Sequence, residues 1–129
     1  MRRLALLAIS MLWMGLSVSG CARSDAWVEF AKSGGLGNVR STVTVTRDGS
    51  VTVNKREGSS TFVLSSDQRQ RLEAALASAK SAPSAPSSGA RDAYRYVLTV
   101  DGNSQSWDDR VEPRELAPVR EFFEAEAGI

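Results

Sequence analysis

The chain has 129 residues with one cysteine and no histidine. That inventory removes most of the side chains that carry nucleophilic, acid–base or zinc chemistry. A Ser-His-Asp triad, a Cys-His pair and the ordinary zinc sites all need groups this sequence lacks. The carboxylates are scattered. The adjacent pair Asp108-Asp109 would point to opposite faces of a strand and would not converge on a metal. Ser33–Asn38 holds three glycines but has neither the lysine nor the strand-to-helix setting of a phosphate loop. The expectation is a non-enzymatic protein with no metal and no small-molecule cofactor.

The cysteine has a different use. Met1-Arg2-Arg3 is followed by an apolar run from Leu4 to Leu16, then by Val18-Ser19-Gly20-Cys21. Two cations and a short apolar stretch make the n- and h-regions of a secretory signal. An aliphatic residue, two small residues and a cysteine form the site at which bacterial lipoproteins are diacylated and cleaved. The peptidase needs small side chains near the scissile bond, and the thiol of the new N-terminus accepts diacylglycerol. A membrane span would need about 20 apolar residues, more than this stretch provides. Residues 1–20 are therefore expected to be a lipoprotein signal peptide, 21–26 a lipidated N-terminus and short tether, and 27–129 a single domain. A tether of residues 22–26 reaches at most ~17 Å, which keeps the domain close to the bilayer.

Cleavage before Cys21 leaves 109 residues, enough for one domain with a modest core. It also removes Arg2 and Arg3, leaving 14 basic residues against 15 acidic ones, a net charge of −1. No basic field exists to hold nucleic acid. The expected location is the cell envelope. Ala22 is not the acidic residue that favours inner-membrane retention in enterobacteria. This places the protein on the periplasmic side of the outer membrane where there is one, and on the outer face of the cytoplasmic membrane otherwise.

Trp27–Ala31 is aromatic and β-branched and reads as a first strand, broken by Ser33-Gly34-Gly35-Leu36-Gly37-Asn38. From Val39 to Thr46 apolar and polar residues alternate, with Val39, Ser41, Val43 and Val45 on one face. Asp48-Gly49 signals a hairpin, Val51–Val53 the return, and Thr61–Leu64 a fourth strand. Ser65 and Gln68 have the spacing of a capping box. Leu72, Ala75, Leu76 and Ala79 then fall on one helical stripe that should cover the sheet. Ser81–Gly89, rich in serine, alanine and proline, reads as a mobile surface loop. Tyr94, Tyr96, Leu98 and Val100 share a strand face, Asp101-Gly102 turns the chain, and Ser104–Val111 returns with Trp107. Pro113 and Pro118 mark starts, and Leu116, Val119, Phe122 and Phe123 give a last helix its apolar side. The order is ββββ-α-ββ-α, an α+β domain with an antiparallel sheet and its helices on one face.

What remains for function is a binding surface. The loop Ser33, Gly34, Gly35, Leu36, Gly37, Asn38 can offer backbone N–H and C=O groups to a partner, with Leu36 as an apolar tip. The competing reading is a glycine turn that merely joins two strands, and side-chain chemistry alone favours it. Trp107 and the Tyr94/Tyr96 pair read as core.

At Val28-Glu29-Phe30-x-x-Ser33-Gly34-Gly35-Leu36-Gly37-Asn38-Val39-Arg40 the sequence resembles emfourin, the protealysin-associated inhibitor of thermolysin-like metallopeptidases. The likeness continues at Leu64-Ser65-x-x-Gln68, resumes at Asp92-x-Tyr94-x-Tyr96-x-Leu98-x-Val100 and closes near Leu116-x-Pro118-Val119. The resemblance implies a small α+β inhibitor that occludes the protease's substrate cleft and contributes no catalytic group. It makes Ser33, Gly34, Gly35, Leu36, Gly37 and Asn38 the candidate contact loop and a thermolysin-like metallopeptidase the expected partner. This chain differs from the pattern in three ways: the third glycine follows Leu36 directly, a lipoprotein signal would put its target outside the cytoplasmic membrane, and the Ser81–Gly89 loop is poor in the apolar residues expected there. The alternative function is a non-inhibitory envelope lipoprotein that binds another protein or supports assembly.

Overall fold

A computed structural model describes residues 26–129. The expected signal peptide, Cys21 and the tether as far as Asp25 lie outside the described residues. Six strands and two helices follow in the order β1 (Ala26–Gly34), β2 (Val39–Thr46), β3 (Ser50–Lys55), β4 (Gly58–Val63), α1 (Ser66–Ala79), β5 (Tyr94–Val100), β6 (Asn103–Asp108) and α2 (Ala117–Ala127). This is the expected ββββ-α-ββ-α antiparallel α+β fold. The strands lie in the order β4-β3-β2-β1-β5-β6, every neighbouring pair is antiparallel, and the α1 connection carries the chain from the β4 edge across the sheet to β5, beside β1.

The turns explain the hairpins. Asp101 and Gly102 have φ of 49° and 83°, the two positive values of a type I′ turn, whose twist matches the strands it joins. At the β2–β3 corner Gly49 takes φ +91° and its amide donates to the Thr46 carbonyl at 3.0 Å. Both are Asp-Gly pairs.

Alternation sorts each strand into a buried and an open face. Val28 and Phe30, Val43 and Val45, Val51 and Val53, Tyr96 and Leu98, and Trp107 all face the helices and are buried. From the other layer Leu72, Ala75, Leu76 and Ala79 of α1 and Val119, Phe122 and Phe123 of α2 meet them. Phe30 is the hub. Its ring stacks on Phe123 at 4.8 Å and on Tyr96 at 5.8 Å and lies 6.2 Å from Trp107. A fully buried Phe of this kind costs about 3–5 kcal/mol when cut to Ala. The elements described share this one core, which makes them a single folding unit.

The capping box at α1 is formed. The Ser65 hydroxyl accepts from the Gln68 amide at 3.1 Å, and the Ser65 amide donates to the Gln68 side chain at 2.8 Å. Removing such a cap costs roughly 1 kcal/mol. α2 has no side-chain cap, starts with Pro118 in its first turn, and ends at Gly128 in the left-handed region. Pro113 opens a turn closed by the Leu116 amide on its carbonyl and does not begin the helix. Arg120 ties α2 to the sheet side. Its guanidinium grips Glu112 with two bonds of 2.7 and 2.9 Å, and Glu112 also accepts from the Trp107 indole at 3.0 Å.

The Ser81–Gly89 segment is fastened to the domain. Ala82 and Ala85 pack against the core, and the Ser88 amide donates to the Asp108 carboxylate at 2.7 Å.

Candidate functional site

The glycine segment divides into two parts. Ser33 and Gly34, expected in the loop, are the last residues of β1, held on both sides by register pairs to Arg40 and Val39 of β2 and to Arg95 and Tyr94 of β5. Only Gly35, Leu36, Gly37 and Asn38 form the turn, closed by the Asn38 amide on the Gly35 carbonyl at 3.2 Å. Ser-Gly-Gly reads as a breaker when taken alone. With a strand on either side, the ladder continues through it.

Gly34 and Gly35 are glycines for structural reasons. Gly34 sits at φ +91°, and a Cβ there would lie 2.8 Å from the Ala93 carbonyl oxygen. Gly35 sits at φ +72°, and its Cβ would fall 2.5 Å from the Tyr94 ring. The Gly35 amide donates to that same Ala93 carbonyl at 3.2 Å. On the strand side, the Lys32 ammonium lies 4.6 Å from the centre of the Tyr94 ring, a favourable cation–π distance. The turn is therefore seated on Ala93 and Tyr94, which come from the start of the distant β5.

Leu36, at the tip of this seat, is 94 % exposed. The Leu36 and Gly37 amides have no hydrogen-bond partner among the described residues. Gly37 lies outside the left-handed region, and a Cβ there would meet only the Val39 side chain at 4.0 Å. Leu36, Gly37 and Asn38 are thus the part of the segment free to meet a partner.

The strand register adds residues that the linear sequence does not single out. Lys32, Arg40, Lys55 and Arg56 line a groove of about 420 Å³ beside the turn, together with one acid, Glu57, and with Asn38, Gly128 and Ile129; the Lys55 ammonium donates to the Gly128 carbonyl at 2.7 Å. Arg95 stands opposite Ser33 on its other side. None of these five cations takes part in an ion pair among the described residues. Several acids at the same end are engaged elsewhere. Asp109 accepts from the Tyr94 amide at 3.1 Å, Asp92 pairs with Arg110, and Asp108 holds the Ser88 and Arg110 amides. The Ser88 backbone bond, followed by weaker ones, keeps the Asp108 carboxyl below its ordinary pKa against the opposing effect of burial. The turn end of the sheet therefore has an apolar tip and a mainly positive surround, although the formal net charge of the whole chain is only +1. These cations come from separate hairpins, so only the pairing register brings them together.

Asp108 and Asp109 do not converge. The first is buried and the second exposed, each bonded to a different stretch of backbone. Among the described residues no group of three or more carboxylates or thiols is placed to hold a metal ion.

No protein-family model, no curated protein and no solved structure matches the chain.

Proposed function

We propose that this chain is a lipid-anchored cell-envelope protein that inhibits a thermolysin-like metallopeptidase by inserting its 35–38 turn into the substrate cleft. One observation carries the reading: a leucine 94 % exposed at the tip of a turn whose base is fixed by two obligate glycines and the Tyr94 ring. A large apolar side chain left in water at the tip of a turn with a fixed base has the form of a side chain meant for a pocket, and pre-organisation of that base reduces the entropy lost on binding. The unpartnered amides of Leu36 and Gly37 suit a cleft that binds extended backbone. The resemblance to emfourin, carried by the same glycine segment, supplies the class of target. Inhibition here is steric. The positive surround favours a target whose cleft rim is acidic and would hasten encounter at low salt. Cys21, as the lipid attachment site, would hold the inhibitor at the membrane surface.

The test is a titration of a thermolysin-like peptidase with soluble residues 22–129 and with Leu36→Asp. Burying a leucine side chain contributes about 1.5–3 kcal/mol, so Leu36→Asp should weaken inhibition at least ~10–100-fold while leaving the unfolding midpoint unchanged. Absence of inhibition across several such peptidases would move the assignment to the non-inhibitory envelope module. That second reading draws on the open sheet face, where Thr42, Thr44, Thr52, Thr61 and Thr99 stand on the side away from the helices.

A further inference from the structure

The two edges of the sheet are built differently. At the β6 edge the Ser81–Gly89 segment lies alongside, and the buried Asp108 carboxylate is bonded to its Ser88 amide. The β4 edge, Gly58-Ser59-Ser60-Thr61-Phe62-Val63, has none of the usual guards. It contains no charge, no proline and no bulge, and its register with β3 is unbroken over six pairs. Val63 is 69 % exposed. Bare edges of this kind pair with other strands unless something blocks them.

The direction of each backbone group follows from the ladder. The Leu64 amide donates to the Gly49 carbonyl at 2.9 Å, so Leu64 faces β3 and, by alternation, Phe62, Ser60 and Gly58 do too. The two-residue turn Arg56-Glu57 between the paired Lys55 and Gly58 gives the same parity from the other end. Ser59, Thr61 and Val63 therefore point both N–H and C=O outward, with no strand among the described residues to receive them.

We propose that this edge pairs antiparallel with the β4 of a second copy of the chain, about a two-fold axis through Thr61, to make one continuous sheet. Only outward residues can bond outward residues, and the register that uses all three sets Thr61 against Thr61 and Ser59 against Val63 of the other copy. The strand ends are then complementary. Arg56 comes alongside the first turn of the other copy's α1, where Asp67 is exposed and has no ion pair among the described residues. Glu57 comes to the amide end of that helix, where negative charge is favoured. Both contacts occur twice. A six-residue strand is far short of the roughly 20–30 residues a side of a standard interface, so the dimer is weak and concentration-dependent. Arg56 and Glu57 also line the groove beside the 35–38 turn, but the pairing residues Ser59, Thr61 and Val63 do not, and the inference does not depend on the inhibitor reading.

The experiment is sedimentation velocity of residues 22–129 up to about millimolar concentration, the weak end of specific association. Alongside it, amide hydrogen exchange is followed residue by residue. Two variants are compared: Thr61→Pro, which removes an outward N–H that no intrachain bond uses, and Ser59→Lys/Val63→Lys, which sets like charges face to face across the axis. The wild type should dimerise, with Ser59, Thr61 and Val63 amides gaining protection as concentration rises. Both variants should associate at least about tenfold more weakly with unchanged circular dichroism. A wild type that stays monomeric throughout, or a dimer that persists in both variants, overturns the proposal. A monomeric wild type whose Thr61→Pro variant binds a target less well would assign the edge to that target and overturn it equally.

Discussion

Gly34→Ala and Gly37→Ala differ by three positions in sequence and should differ by several kcal/mol in effect. At Gly34 the left-handed φ of +91° costs a β-carbon about 1–2 kcal/mol. The new methyl would also sit 2.8 Å from the Ala93 carbonyl oxygen, a backbone atom that already accepts the Gly35 amide and can yield only by moving β5. The sum is a loss of roughly 2–4 kcal/mol. Gly37 has neither constraint, since its φ is not positive and its Cβ would make an ordinary 4.0 Å contact with Val39. Alanine there should be neutral or stabilising by up to about 1 kcal/mol, through a less flexible unfolded chain. Urea unfolding of residues 22–129, followed by the fluorescence of Trp27 and Trp107, measures both. Two variants that agree within about 0.5 kcal/mol would refute the claim that the turn is seated on Ala93 and Tyr94. The same reasoning makes Gly35→Arg a poor probe of partner contact, because its side chain would displace Tyr94. Substitutions at Leu36 and Gly37 test contact without that confusion.

Three further outcomes follow from the packing and from the N-terminal motif. Arg120→Met should lower stability by about 1–3 kcal/mol in chemical denaturation, because Glu112 is left under α2 with the Trp107 indole as its main partner. Asp108 has a depressed pKa, so its contribution is present above the ordinary aspartate value of about 3.9 and is lost as pH falls through its lower folded value. Melting temperature should therefore fall more steeply below pH 4 in the wild type than in Asp108→Asn, and parallel curves would contradict this. Cys21→Ala should abolish membrane partitioning and leave the precursor unprocessed, which fractionation and the mobility of the expressed protein report; unchanged membrane association would exclude lipid anchoring through Cys21.

The fold was legible where local and long-range signals agree. Alternation through Val39, Ser41, Val43 and Val45, the Ser65–Gln68 box and the stripe at Leu72, Ala75, Leu76 and Ala79 each describe a residue's own neighbours along the chain, and each element formed there. The site was less legible. Ser33 and Gly34 read as loop because glycine is a breaker in isolation, whereas β2 and β5 clamp them into the ladder. The Tyr94 seat and the Lys32, Arg40, Lys55, Arg56 and Arg95 surround exist only once three hairpins are in register, a non-local fact. Ala82 and Ala85 gave no signal because a small side chain in a proline-rich loop looks alike whether it is packed or free. The sequence did mark Leu36, as the one large apolar residue among glycines.

The most direct test of the account is inhibition of a thermolysin-like metallopeptidase by residues 22–129 beside the Leu36→Asp variant, with both shown to unfold at the same urea concentration. The expected result is stoichiometric inhibition by the wild type and a loss of at least ~10–100-fold in the variant. Equal inhibition by the two proteins would contradict the placement of Leu36 in the cleft, and no inhibition by either would contradict the inhibitor function itself.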